Sequence, residues 1–318
     1  MLIVFFGTPE FAVPSLEALI KSRHRVAAVV SQPDRPKGRG QHLQATPTKV
    51  VAEANGIPVL QPSKIRDEAF LDRIRAIAPD LGVVVAFGRI LPDALIAIPR
   101  LGLINLHASI LPRYRGAAPI QRAVMAGDAE TGVTIMRIER ELDAGATFAM
   151  QGVPVPPEAT SGDLESTLAT VGARLLMSVV DAMEDGTATE TPQDHSQATF
   201  APKIAKEEGV IDWSEPAARI HDRVRGLQPW PLASTTLNGL RIVIRKTLPR
   251  ANPRKGPDAD LSLPGGTVIG STGTEIIVAC GGRTELRILE LQPEGRRSMS
   301  VRDFLAGHKV AAGDRFGQ

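Results

Sequence analysis

The stretch LGVVVAFG (81–88) carries no polar side chain. A strand with one wet face alternates apolar and polar residues. An unbroken apolar run of this length with β-branched residues at its centre predicts a strand covered on both faces, as in a parallel sheet. Towards the N-terminus, LIVFFG (2–7), RVAAVVS (25–31) and the short IPVLQP read as further strands. Helical patterns separate them. FAVPSLEALIKS has apolar residues at 11, 13, 16, 19 and 20, TPTKVVAEANG offers Thr46 or Thr48 as a cap and Gly56 as a stop, and EAFLDRIRAIA (68–78) is amphipathic. Towards the C-terminus come LGLINLHAS (101–109) as a strand, PIQRAVMAG as a helix, GVTIMRIE (132–139) as a strand and a long helix over 161–184 opened by Ser161 or Asp163. Strand and helix in alternation predict an α/β fold with a doubly wound, mainly parallel sheet.

Beyond 187 the pattern changes. TATETPQDHSQATFAPK (187–203) has no periodicity, and IVIRKTL, GTVIGS, TEIIVAC and TELRILELQ are short strands between Gly-rich turns, as in a β-barrel. The expected division is 1–188, a linker at 189–206, and a β-barrel domain at 207–318. Charge divides similarly: residues 1–200 hold 19 Lys+Arg against 22 Asp+Glu, residues 201–318 hold 18 against 13. The basic second part fits a polyanionic partner. With 43% hydrophobic and 23% charged residues the composition is that of a soluble globular protein. MLIVFFGTPE lacks the basic region of a signal peptide, and no stretch has the unbroken apolar length of a membrane span, so the expected location is cytoplasmic. A single cysteine, Cys280, excludes an internal disulfide and a cysteine-rich zinc site, and six scattered histidines give no metal-binding spacing.

Chemistry concentrates in NLHASILPRYRGAAP (105–119). Asn105 and His107 stand two apart on one strand and share a face at its carboxyl end, where open α/β sheets place ligands. An amide donor beside an imidazole can hold an oxyanion and move a proton; the same pair suits a capped strand end with a surface histidine. Asp143, in RELDAGAT after the strand 132–139, reads either as an Asx turn or as the carboxylate that orients His107. GTPEFA at the first strand end is not GxGxxG, and no P-loop pattern occurs, which disfavours a nucleotide cofactor. QPDRPKGRG (32–40) has too many breakers for a helix and too little apolar content for a strand. It is a stiff cationic loop after the second strand.

NLHASILPRYRGAAPIQRAVMAGDAETGVTI (105–135) and the Asp143 loop resemble the formyltransferase family that uses 10-formyltetrahydrofolate. That family shows Asn-x-His, then Ser-Leu-Leu-Pro, then Gly-Asp/Glu-x-x-x-Gly-Val-Thr and a late Asp. Ile110 makes SILP of SLLP, a mild apolar change. GTPEFAVPSLEAL, QPDRPKGRG, AFGRILP, KIAKEEGVIDW and LQPWP are similar to the branch whose acceptor is initiator methionyl-tRNA, strongly over roughly 1–235 and weakly beyond. The resemblance implies a Rossmann-like formyltransferase domain followed by an OB-like, tRNA-binding barrel, acting as a cytoplasmic monomer without a metal. It implies catalytic roles for Asn105, His107 and Asp143. The folate would lie along Ser109, Ile110, Leu111 and Pro112, with backbone from 86–91 and 141–145 beside it. Arg35, Lys37 and Arg39 would meet the tRNA.

Overall fold

The computed structural model describes residues 1–37, 42–250 and 263–317. The chain forms two compact units, one from Met1–Pro119, Glu130–Pro154 and Leu164–Pro202, the other from Ile120–Ala129, Val155–Asp163 and Lys203–Gln318. Seven strands make the sheet of the first: β1 (Leu2–Gly7), β2 (Arg25–Val30), β3 (Val59–Leu60), β4 (Leu81–Val85), β5 (Leu103–His107), β6 (Glu130–Arg137) and β7 (Thr147–Pro154). Their order is β7-β6-β5-β4-β1-β2-β3, parallel from β5 to β3 and antiparallel at β6 and β7. The chain lays down β1, β2 and β3 outward, then returns to set β4 on the other side of β1. Crossovers leave the centre in opposite directions, so a crevice opens at the carboxyl ends of β1 and β4.

Alternate residues of each central strand serve the two faces. Val4, Phe6, Val30, Val84 and Leu103 join Phe70 and Ile74 of the helix Glu68–Ile77 on one side, and Phe6 meets Phe87 edge-on at 5.8 Å. Ile3, Phe5 and Val85 are equally buried on the other. The unbroken apolar run at 81–88 reflects that double cover. Leu106 of β5 faces the helix Ser161–Glu184, where a Cβ on Gly172 would lie 2.6 Å from its Cδ1. This helix has the length and mean hydropathy of a membrane-spanning segment, but Leu168, Leu176 and Val180 are wholly buried in the fold. Thr46 does precede its helix, Pro47–Ala54, which ends before Gly56; Thr48 is no cap, donating instead to the Gly7 carbonyl at 2.9 Å.

The edge strand β7 was not legible in the sequence, because its residues are half-exposed without strict alternation. Residues 189–202, aperiodic as read, are bound to the first unit by short pairings. Thr191 bridges to Thr147, and Phe200–Ala201 lies parallel to Arg115–Gly116. Thr199 accepts from Arg115 N at 2.8 Å through its carbonyl and from Tyr114 N at 2.8 Å through its hydroxyl.

In the second unit β8 (Ala233–Leu237), β9 (Leu240–Pro249), β10 (Val268–Ser271), β11 (Ile276–Cys280) and β12 (Thr284–Pro293) form an antiparallel sheet ordered β8-β9-β12-β11-β10. The helix Ala217–Gly226 fills it with Ile220 and Val224 against Ile242, Ile244 and Ile288. Its two edges are joined by the last residues: Phe316 bridges to Leu237 of β8, Arg315 to Thr267 beside β10. Gly317 N donates to Thr236 O at 2.9 Å and Val268 N to Asp314 O at 2.8 Å. The Phe316 ring packs on Trp213 with centroids 5.4 Å apart. Phe316→Ala removes the apolar anchor of that closure. It should lower stability by about 3 kcal/mol, as for other buried Phe→Ala changes, read as a lower urea midpoint with the same m-value.

Candidate active site

β5 lies between β4 and β6, with Asn105 opposite Val84 and Met136, and His107 opposite Thr134. Leu103, Asn105 and His107 share one face because strand side chains alternate. The face is apolar at its buried end and polar at the carboxyl edge. The Asn105 side chain is half-buried and has no hydrogen-bond partner among the described residues, so its amide is free to donate and accept. His107 is buried. Its Nε2 lies 2.9 Å from the Tyr114 carbonyl; a carbonyl only accepts, so Nε2 carries a hydrogen. Nδ1 is left to face Asp143, 3.7 Å from Oδ2.

Asp143 is brought there by the turn between β6 and β7. Its backbone is left-handed, φ 51°, which sends its carboxylate back over the sheet edge. Oδ2 accepts the Gly116 N–H at 2.8 Å. Gly116 has φ 120°, and a Cβ there would meet the Ala201 carbonyl at 2.8 Å, so no other residue fits this close pairing. The structure therefore brings together all three expected reactive residues, Asn105, His107 and Asp143.

The turn 109–112 sits on β6. Thr134 Oγ1 donates to the Ser109 carbonyl at 2.7 Å and accepts from Leu111 N at 3.2 Å. Ser109 Oγ donates to the Arg113 carbonyl at 2.6 Å. Ser109 and Leu111 are buried, so their side chains build the turn from inside; Ile110 and Pro112 are half-exposed. Gly132 makes room for Ile110, whose Cδ1 would collide with a Cβ at that position.

The opening of the 32–40 loop is tied to the crevice. Gln32 N donates to Thr8 Oγ1 at 3.2 Å, and Gln32 Nε2 to the Phe87 carbonyl at 2.8 Å, joining the ends of β1, β2 and β4. Arg35 is exposed and donates to Gln32 Oε1 at 3.1 Å. Arg35–Lys37 then pairs with His42–Gln44 as a hairpin; Arg39 lies outside the described residues. Asp34 is a structural member of this cationic loop. It accepts from Lys49 Nζ at 2.6 Å and Gln61 Nε2 at 2.7 Å.

Sequence reasoning missed the surroundings of Asp143. Arg115 is 2% exposed, while Arg113 two residues before it is exposed. Arg115 Nη2 donates to Gln193 Oε1 at 2.8 Å, and Gln193 Nε2 donates to the carbonyls of Asp143 and Gly145 at 2.9 and 2.8 Å. No spacing rule connects residues so far apart in an aperiodic segment. As for metals, one group among the described residues, His24, Asp181 and Glu184, has ligand atoms within 4.8 Å of each other. They are already paired, His24 Nε2 with Asp181 at 3.0 Å and Glu184 with the N-terminal amine at 2.5 Å.

Residues 1–180 match the family described as Formyl transferase, and residues 203–309 match Formyl transferase, C-terminal domain. A protein of Methylococcus capsulatus named methionyl-tRNA formyltransferase is 48% identical, with all of both chains covered. One of the same name from Moorella thermoacetica is 45% identical over 100% of this chain and 99% of its own. The chain belongs to the formyl transferase family, among the methionyl-tRNA formyltransferases. It is a formyl-transferring enzyme. An N-formyltransferase of Helicobacter canadensis, solved in complex with folinic acid and dTDP-3-aminofucose, has the same fold, with a TM-score of 0.66 at 17% identity over 90% of this chain and 98% of that one.

The Asp34 carboxyl is held below the usual carboxylate range, first by the Lys49 hydrogen bond and then by Gln61. A carboxyl depressed on folding stabilises fully above its unfolded pKa of ~3.9 and loses that contribution as pH falls through the lower folded value. Lys49→Met should therefore lower the Tm at pH 7 by about 2 °C, the size of a partly exposed ion pair. The difference from the parent should shrink steadily below about pH 4 in thermal melts.

Proposed function

We propose that this enzyme transfers the formyl group of 10-formyltetrahydrofolate to the α-amino group of methionyl initiator tRNA, as a cytoplasmic monomer. Full-length similarity to proteins named methionyl-tRNA formyltransferase supports the acceptor. The folinic acid bound by a structural neighbour supports a tetrahydrofolate-derived donor. The observation that carries the reading is the unpartnered Asn105 amide beside His107, whose Nδ1 stands 3.7 Å from Asp143.

The donor supplies an electrophilic formyl carbon; everything else falls to the chain. An α-amino group titrates near ~8, so a fraction is already nucleophilic at neutral pH and a mild base suffices. As the amine attacks, negative charge grows on the formyl oxygen. The Asn105 amide N–H is free to donate to it, without first breaking a bond inside the protein. With Nε2 committed to Tyr114, the proton released by the amine passes by way of Nδ1 of His107 and Asp143 to N10 of the folate, as the formyl C–N10 bond breaks and tetrahydrofolate leaves. Oδ2 of Asp143 already accepts from Gly116, which keeps it aimed at the ring. The turn 109–112 presents Ile110, Pro112 and its backbone to the folate, while Ser109 and Leu111 hold its shape. Arg35, Lys37 and Arg39 meet phosphates of the tRNA as sequence-independent positioning contacts.

Asn105→Ala and His107→Ala should each reduce kcat by at least ~10² while leaving the thermal melt of Asn105→Ala unchanged, since its amide holds nothing in the fold. Arg39→Ala should raise KM for tRNA and leave folate binding as it is. Formylation of initiator and elongator methionyl-tRNA, measured side by side, tests the acceptor: equal rates on both would refute initiator specificity.

A further inference from the structure

Asp143 occupies a left-handed backbone region, φ 51°, that is unfavourable for a non-glycine residue, and in the proposed mechanism its carboxylate points at one ring nitrogen of His107. Its side chain is held by Gly116 N–H. Its main chain is held by a single group from far along the chain. Gln193 Nε2 donates to the Asp143 carbonyl at 2.9 Å and to the Gly145 carbonyl at 2.8 Å, clamping two carbonyls of the turn. Gly145 itself cannot carry a side chain, because a Cβ would run into the Arg137 carbonyl. The orientation of the Gln193 amide is in turn fixed: Arg115 Nη2 and Nε both donate to its Oε1, at 2.8 and 3.2 Å, so the oxygen faces the guanidinium and the NH2 faces the turn. Arg115 is buried, and its carboxylate partner, Glu141 at 3.3 Å, is largely exposed. Burying a guanidinium with so little charge compensation is costly; apart from Glu141 and His195, whose Nδ1 lies 3.2 Å from Nη2, its partner is the amide oxygen of Gln193.

The two clamps on Asp143 come from adjacent residues. Gly116 acts on the carboxylate directly, and Arg115 acts on the backbone through Gln193. Both are locked by the ladder to Phe200–Ala201.

We propose that Gln193, oriented by Arg115, is a positioning residue of the transfer reaction, holding the Asp143 turn so that its carboxylate faces Nδ1 of His107. The inference rests on the roles given above to His107 and Asp143. Displacing a reacting group by about 1 Å can cost ~10²-fold in rate, so the contribution belongs in kcat and not in substrate affinity.

Formyl transfer from 10-formyltetrahydrofolate to methionyl initiator tRNA is measured for Gln193→Ala, Gln193→Glu, Asp143→Asn and the Gln193→Ala/Asp143→Asn pair. Gln193→Glu keeps a partner for Arg115 while losing the NH2 that clamps the turn, so it separates positioning from folding; a near-UV circular dichroism spectrum like the parent's confirms the fold. Expected are a fall in kcat of about 10- to 100-fold in both Gln193 variants, KM for donor and tRNA within about twofold of the parent, and an altered pH profile of kcat. In the pair, removing Gln193 should cost little beyond Asp143→Asn, because both changes break one unit. Parental kcat in Gln193→Glu, or losses that multiply in the pair, would overturn the proposal. A parental kcat in Asp143→Asn would instead overturn the mechanism on which it rests.

Discussion

The carbonyl of Tyr114 decides what His107 can do. A backbone carbonyl cannot give a hydrogen, so it fixes one on Nε2, and in the proposed mechanism the ring has a single nitrogen left for proton traffic. That nitrogen faces Asp143, 3.7 Å from Oδ2, and the proposed transfer needs the carboxylate held there. Several irregular features of the first unit hold that carboxylate or its turn in place. The left-handed Asp143, the Gly116 approach to Ala201, the buried Arg115 and the docked segment 189–202 all bear on one angle between a carboxylate and a ring.

The contrast with Asn105 is informative. Around it nearly every polar group is satisfied: Ser109 by Arg113 and Thr134, Asp143 by Gly116 and Gln193, His107 by Tyr114. Asn105 has no partner among the described residues. An amide left unpaired at the mouth of a crevice costs folding free energy, since it forgoes bonds it could make. In the proposed mechanism, the charge that develops during acyl transfer meets there a donor needing no rearrangement.

How much of this was legible depended on the range of each interaction. Strand and helix patterns come from burial of alternate or every third or fourth residue, so LGVVVAFG, LIVFFG and EAFLDRIRAIA announced the sheet and its cover. Asn105 and His107 were readable as a pair because period two puts them on one face at a strand end. Asp143 was only half readable: its position after β6 suggested a turn, but nothing local said which way its carboxylate would point. Arg115 and Gln193 were invisible. Arg115 looks like any turn cation until its burial is known, and Gln193 lies 50 residues from the carbonyl it holds, in a stretch with no periodicity. The closure of the second unit was hidden for the same reason, since Phe316 joins Leu237 through an isolated bridge that no alternation pattern marks.

The 32–40 loop shows where composition misleads. Its cations drew notice, yet the residues that fix its origin are Gln32 and Asp34, through the Phe87 carbonyl, Thr8, Lys49 and Gln61. A loop anchored this firmly at the topological switch point leaves from a defined place beside the crevice. A segment whose start is already fixed has less conformational freedom to lose when it meets a partner. Phosphate contacts carry no sequence information of their own, so arginines on such a loop can position an acceptor end without reading it.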